Sequence, residues 1–233
     1  MPNFDWLDLV ENENISTVTL RWPDEGMSDG ILADLGSLMN YLEDETSRSL
    51  IVLRGLNSVA PHTPSPSPTA VEHCRKWENF VVRIDRFAGA SIAVIDGSCS
   101  HFRLQLALAC DYRLATSRSV FRMPEVKEGY LPGMNIFRLA KYAGIGVARR
   151  IIFTGAPVSA GEALALGILD QLCEAEQLEA GVRTAQEALM PVSPLAIQMA
   201  RRLLNESFST SFEDAIGHYL AAQNHCLSEK GER

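Results

Sequence analysis

Two short apolar runs, residues 49–54 (SLIVLR) and 91–95 (SIAVI), constrain the fold of this chain most. Each has the length of a strand and is rich in aliphatic residues. Each also stops at a turn, Gly55 after the first and Asp96-Gly97 after the second. A helical pattern precedes both. Ahead of the first, Ile31, Leu32, Leu35, Leu38, Met39 and Leu42 recur on one face, with Ser28 placed to cap the helix start. Ahead of the second, Val71, Cys74, Trp77, Val81 and Ile84 mark one side of another helix. Upstream, residues 4–9 and 15–22 are β-rich, and the polar stretch 11–14 between them reads as a hairpin turn. Strand, helix, strand, loop, helix, strand is the order of βαβ units around a largely parallel sheet.

The loop in that order holds Pro61, Pro64, Pro66 and Pro68. Four missing backbone donors keep it out of any sheet, and a mobile lid or entrance loop is expected over 60–69. After Gly97 the strands thin out and helical periodicity dominates, ending in patterns over 178–189, 195–204 and 212–227. The expected division is an α/β core over 1–178 and a helical region over 179–233. In the last helix Phe212, Ile216, Tyr219 and Leu220 form an apolar stripe, which predicts a covering subunit.

Composition narrows the function. With 46% hydrophobic and 21% charged residues, the chain has the make-up of a folded globule rather than a disordered one. Its net charge of −8 argues against a nucleic-acid partner. Every apolar run is far shorter than the roughly 18 residues of a membrane span. No basic segment precedes an apolar one near the start, so no secretory signal is expected. The five cysteines are scattered, never as CxxC, and read as reduced thiols of a cytoplasmic protein. The histidines lack metal-ligand spacing, and no metal is expected.

Three constellations bear on chemistry. Around residues 93–111 a strand, a glycine turn and an apolar helix follow one another, which leaves helix N-terminal amides directed at a cleft. Such fixed dipoles suit a thioester oxyanion, although many strand–turn–helix units bind nothing. Glu125, set by Pro124 ahead of Gly129 and Pro132-Gly133, has the placement of a general acid or base; the same spacing fits an ordinary surface acid beside Glu128 and Lys127. Cys99 and His101 suggest a nucleophile pair, but two residues separated by one do not normally meet here, and a buried cysteine is usually a small hydrophobe.

Taken together these segments resemble the crotonase (enoyl-CoA hydratase/isomerase) superfamily. The matching pieces are residues 49–55, residues 93–97 followed by Cys110-Asp111, Met123-Pro124-Glu125 with Gly129, Pro132-Gly133 and Arg138-Leu139, and residues 154–160 with Glu162-Ala163, Gly167 and Asp170. The resemblance implies an α/β crotonase spiral of ββα turns with a helical C-terminal trimerisation domain, assembled as a homotrimer or hexamer. It implies an acyl-CoA or acyl-carrier-protein thioester as substrate and no separate cofactor. It places the second hydratase glutamate at Glu125, the proton carrier, and the first at Gln105, where an amide orients water but takes no proton. The oxyanion amides fall on Phe102 and on Thr63 or His62, and the substrate pocket on His101, Arg103, Pro132 and Gly133. His101-Phe102-Arg103 stands where the family has a Gly-Gly-Gly stretch. The segments WENFVVRIDRF, PGMNIFRLA and DAIGHYLAAQ are similar to the branch that assists a type III polyketide synthase in making 3,5-dihydroxyphenylacetyl-CoA. The expected function is therefore that of a dehydratase or isomerase on a polyketide thioester in secondary metabolism. The alternative is a weakly catalytic or non-catalytic partner of a polyketide synthase or acyl carrier protein.

Overall fold

The computed structural model describes residues 2–21, 27–44, 49–57, 71–190 and 192–231. Strands β1 (Leu7–Asn12) and β2 (Ile15–Leu20) form an antiparallel hairpin, with Leu7 opposite Leu20 and Asn12 opposite Ile15. Helix α1 (Asp29–Asp44) follows, and the Ser28 hydroxyl accepts from the Ile31 amide as its cap. Strand β3 (Leu50–Arg54), helix α2 (Val71–Asp85) and strand β4 (Ala90–Ile95) continue the alternation. Then come β5 (Ser98–Ser100), α3 (His101–Ala109), β6 (Tyr112–Thr116) and β7 (Val120–Arg122). A 3-10 turn at Glu125–Glu128 leads to α4 (Asn135–Thr154), β8 (Val158–Ser159), α5 (Ala160–Ala165) and β9 (Gln171–Cys173). Helices α6 (Leu178–Leu189), α7 (Pro194–Glu206) and α8 (Phe212–Gly231) complete the described chain.

The main sheet runs β1-β2-β3-β4-β6-β9 and is parallel from β2 onward; β5, β7 and β8 form a second, three-stranded sheet. Side chains alternate across the main sheet, as strand geometry requires. Ile51 and Leu53 join the larger apolar core with α1, α2 and α3, while Leu50, Val52, Ile92 and Leu114 join a smaller one with Val182 and Ala185 of α6. Burial on both faces explains why β3 reads as an unbroken apolar run.

Several expectations shift. The first strand begins at Leu7 rather than Phe4, and the hairpin turn contracts to Glu13-Asn14 because pairing extends to Asn12. The strands do not thin out after Gly97: β5 to β9 all lie beyond Ile95, each of two to five residues and too short to show a period. Val71 is 85% exposed and off the core face, because the buried stripe of α2 begins at Trp77. Helix α6, placed with the C-terminal region by the expected division at 178/179, packs on the sheet instead. The prolines at 61–68 lie outside the described residues.

Helix α7 is clamped to the core through Arg201. Its guanidinium donates to both Asp111 carboxylate oxygens at 2.7 Å and to the carbonyls of Phe87 and Gly89. Asp111 also accepts from the Ser91 amide and hydroxyl, so one carboxylate joins β4, the end of α3 and α7. On α8 the stripe of Phe212, Ile216, Tyr219 and Leu220 is exposed. Among the described residues no helix is long and apolar enough to cross a membrane.

Candidate active site

A mostly apolar cavity of about 510 Å³ opens between α2, the start of α3, the Glu125–Glu128 turn and the segment entering α4. Trp77 and Glu78 enter it from α2, His101, Phe102 and Gln105 from α3, and Ile136 and Phe137 from α4. The first turn of α3 has N–H groups with no partner one turn back, and the Ser100 side chain does not cap them. Those amides start at the cavity edge, where Phe102 stands. The Phe102 ring turns edge-on to Trp77, with centroids 5.3 Å apart.

Glu125 is held by its backbone. Pro124 starts the 3-10 turn, Gly129 closes it at φ 92, a conformation favouring glycine, and the Tyr130 amide donates to the Glu125 carbonyl. The residue is 2% exposed, and neither carboxylate oxygen has a hydrogen-bond partner among the described residues. His101 Nδ1 stands 3.4 Å from Glu125 Oε1. Structures rarely leave a buried carboxylate unbonded, because desolvation is costly, and such groups gather at functional sites. Glu128 is exposed and accepts from the Tyr130 hydroxyl, so it takes no part in the cavity.

His101 adopts φ 53, in the left-handed region, at the first position where the family pattern has glycine. The backbone shape of a glycine turn is thus retained by a residue that carries a side chain, and the imidazole occupies the space beside Glu125. Gln105 is buried, and its Oε1 accepts from the Trp77 indole N–H at 2.7 Å. Indole only donates, so this bond fixes which way the amide faces. Gly133, at φ 52, closes the cavity wall; a Cβ there would meet Glu78 Oε1 at 2.3 Å and Gln105 Oε1 at 2.7 Å.

The residues expected from sequence are placed unequally. Glu125, Gln105, His101, Phe102 and Gly133 line one cavity. Arg103 does not line it: two residues past His101 a helix has turned about 200°, away from the face shared by His101, Phe102 and Gln105. Pro132 is buried behind the wall rather than in it. His62 and Thr63 lie outside the described residues. Cys99 is fully buried, and burial pushes its thiol up to about 12, which removes it as a nucleophile. Sequence reasoning missed Glu78 and Trp77. A buried indole needs an acceptor, which hints at Trp77, but nothing local ties Glu78 to a segment beyond residue 130. Among the described residues no cluster of His, Cys, Asp or Glu has the make-up of a metal site.

With this geometry, similarity to known proteins becomes informative. The family model described as enoyl-CoA hydratase/isomerase matches residues 72–231. The chain belongs to the enoyl-CoA hydratase/isomerase family. Among curated relatives, the enoyl-CoA hydratase of Amycolatopsis orientalis is 32% identical over 206 residues, covering 86% of this chain and 91% of the relative. Among solved structures, the enoyl-CoA hydratase of Mycobacterium smegmatis superimposes with a TM-score of 0.84 at 20% identity, over 95% of this chain and 91% of that one. A Thermobifida fusca YX protein assigned as an enoyl-CoA hydratase, solved in complex with CoA, gives 0.83 at 20% identity, over 97% and 95%. At these identities the structural likeness carries the crotonase-like fold, and the family model and the Amycolatopsis relative carry the hydratase/isomerase type.

Proposed function

We propose that this member of the family dehydrates or isomerises an acyl thioester of polyketide origin in cytoplasmic secondary metabolism. The observation that carries the reading is Glu125, buried, unbonded and facing the apolar cavity at the start of α3. In this reading Glu125 moves the proton at the carbon next to the thioester carbonyl. The Phe102 N–H, with an amide from His62 or Thr63, holds the enolate oxygen. Fixed amides of this kind are each worth about 10²–10³-fold in rate. Gln105 orients water or a substrate hydroxyl, and the reaction draws on no group beyond the thioester itself.

The Thermobifida fusca neighbour was solved with CoA, which supports CoA as the carrier of the acyl group. A polyketide source rests on the segments 77–87, 132–140 and 214–223, and the apolar cavity suits a carbon-rich acyl chain. The exposed stripe on α8 supports a homotrimer or a dimer of trimers, with a polyketide synthase as a further partner. The test is direct. Incubation with a conjugated enoyl-CoA should bleach the enoyl-thioester absorbance, and a saturated acyl-CoA in D2O should exchange its α-protons. If both substrates remain unchanged, the catalytic reading fails and a non-catalytic role beside a polyketide synthase takes its place.

A further inference from the structure

The cavity holds a second acid that the family pattern does not place. Resting on the reading above, we infer that Glu78 of α2 is the second carboxylate of the reaction, taking the water's proton, which the Gln105 amide cannot accept. Three observations carry this. First, Glu78 lines the same cavity as Glu125. Second, Glu78 Oε1 and Gln105 Oε1 lie on the same side of Gly133, where a Cβ would run into both, so the missing side chain of that glycine leaves room for the pair. Third, the two oxygens of Glu78 are used differently. Oε1 accepts from the Met134 amide at 2.9 Å and fixes the side chain, whereas Oε2 is shielded from solvent with no hydrogen bond. Arg138 Nη1 stands 3.7 Å from Oε2, beyond hydrogen-bond reach.

Gln105 supplies the complementary half. The Trp77 indole engages its amide oxygen, and its N–H donors suit the oxygen of a water or hydroxyl. A water held between a Gln105 donor and the Glu78 acceptor is oriented for attack. In the hydration direction the water oxygen bonds to Cβ while its proton passes to Glu78. The proton on Glu125 passes to Cα, and the double bond becomes single. Dehydration runs the same steps backwards, and solvent restores both carboxyl groups. Helix α2 places Trp77 and Glu78 side by side, so one short segment both fixes the amide and provides the base.

Glu78→Gln separates the two proton transfers. The variant keeps an oxygen for the Met134 amide, and circular dichroism and acyl-CoA affinity check its fold. Hydration of an enoyl-CoA should fall about 10²–10⁴-fold, the range for loss of a general acid–base, while α-proton exchange of a saturated acyl-CoA in D2O stays within about twofold. Formate added to Glu78→Ala should restore part of the hydration. Unchanged hydration in Glu78→Gln, or equal loss of hydration and exchange, overturns the inference, because a structural role would move both together. If the unmodified protein exchanges α-protons but never adds water, this inference falls while the enolate reading stands. If it does neither, the proposed function falls first.

Discussion

His101 offers a sharp test of how the site is built, because it holds a left-handed backbone at φ 53 with a side chain attached. An L-residue in that region carries roughly 1–2 kcal/mol of local steric cost, which glycine escapes. Against that, alanine in place of glycine stabilises a compatible site by about 0.4–1 kcal/mol through the unfolded chain. Here the first effect outweighs the second. His101→Gly is therefore expected to be more stable than His101→Ala by about 1 kcal/mol, the reverse of the usual order in a helix. Both variants lose the imidazole, which is only 12% exposed and sits 3.4 Å from Glu125 Oε1, so the comparison between them cancels that loss. Urea unfolding followed by circular dichroism reads the difference as a shift in midpoint at constant slope. An alanine variant as stable as the glycine variant, or more so, would refute the claim that the first turn of α3 retains a glycine-like backbone.

Three further expectations follow from burial and charge. Cys74 lines the cavity, whereas Cys99 and Cys110 are fully buried with thiols pushed up to about 12. Iodoacetamide should therefore label Cys74 well before those two, and a bound acyl-CoA should slow it; equal labelling of Cys99 in the native protein would contradict this. Asp85 ends α2, where the helix dipole disfavours an acid by about 0.3–1 kcal/mol, and burial raises its carboxyl above the ordinary value of 3.8. A raised acid favours the folded state only below its unfolded value, and that contribution is lost as pH rises through the folded one. Asp85→Asn should thus raise the melting temperature at pH 7, with the gain vanishing below about pH 4; an equal or lower melting temperature at pH 7 would contradict this. Sedimentation at micromolar concentration should show a species larger than the 25.6 kDa chain if α8 is an interface, and a monomer alone would end the trimer proposal.

What the sequence made legible tracks the length of each pattern. Helix α1 repeats its apolar face over four turns, and all six residues read from it are buried. Strands β3 and β4 sit in the middle of the sheet and show as apolar runs. By contrast, β7 and β8 are three and two residues long, and the second sheet exists only because distant segments meet. The site divides in the same way. Glu125 and Gln105 were legible because each lies in a local motif that fixes its neighbours. Glu78 was not, because the Met134 amide that holds its side chain comes from a segment far along the chain. Arg103 was misplaced because adjacency in sequence was read as adjacency in space, which a helix undoes within two residues.

The account rests most heavily on Glu125 as the group that moves the α-proton. The deciding measurement is α-proton exchange of a saturated acyl-CoA in D2O, followed by NMR, for the unmodified protein and for Glu125→Gln. The substitution keeps size and removes the basic oxygen. Exchange should fall about 10²–10⁴-fold while acyl-CoA affinity stays within about twofold. Exchange at an unaltered rate in Glu125→Gln would contradict the account.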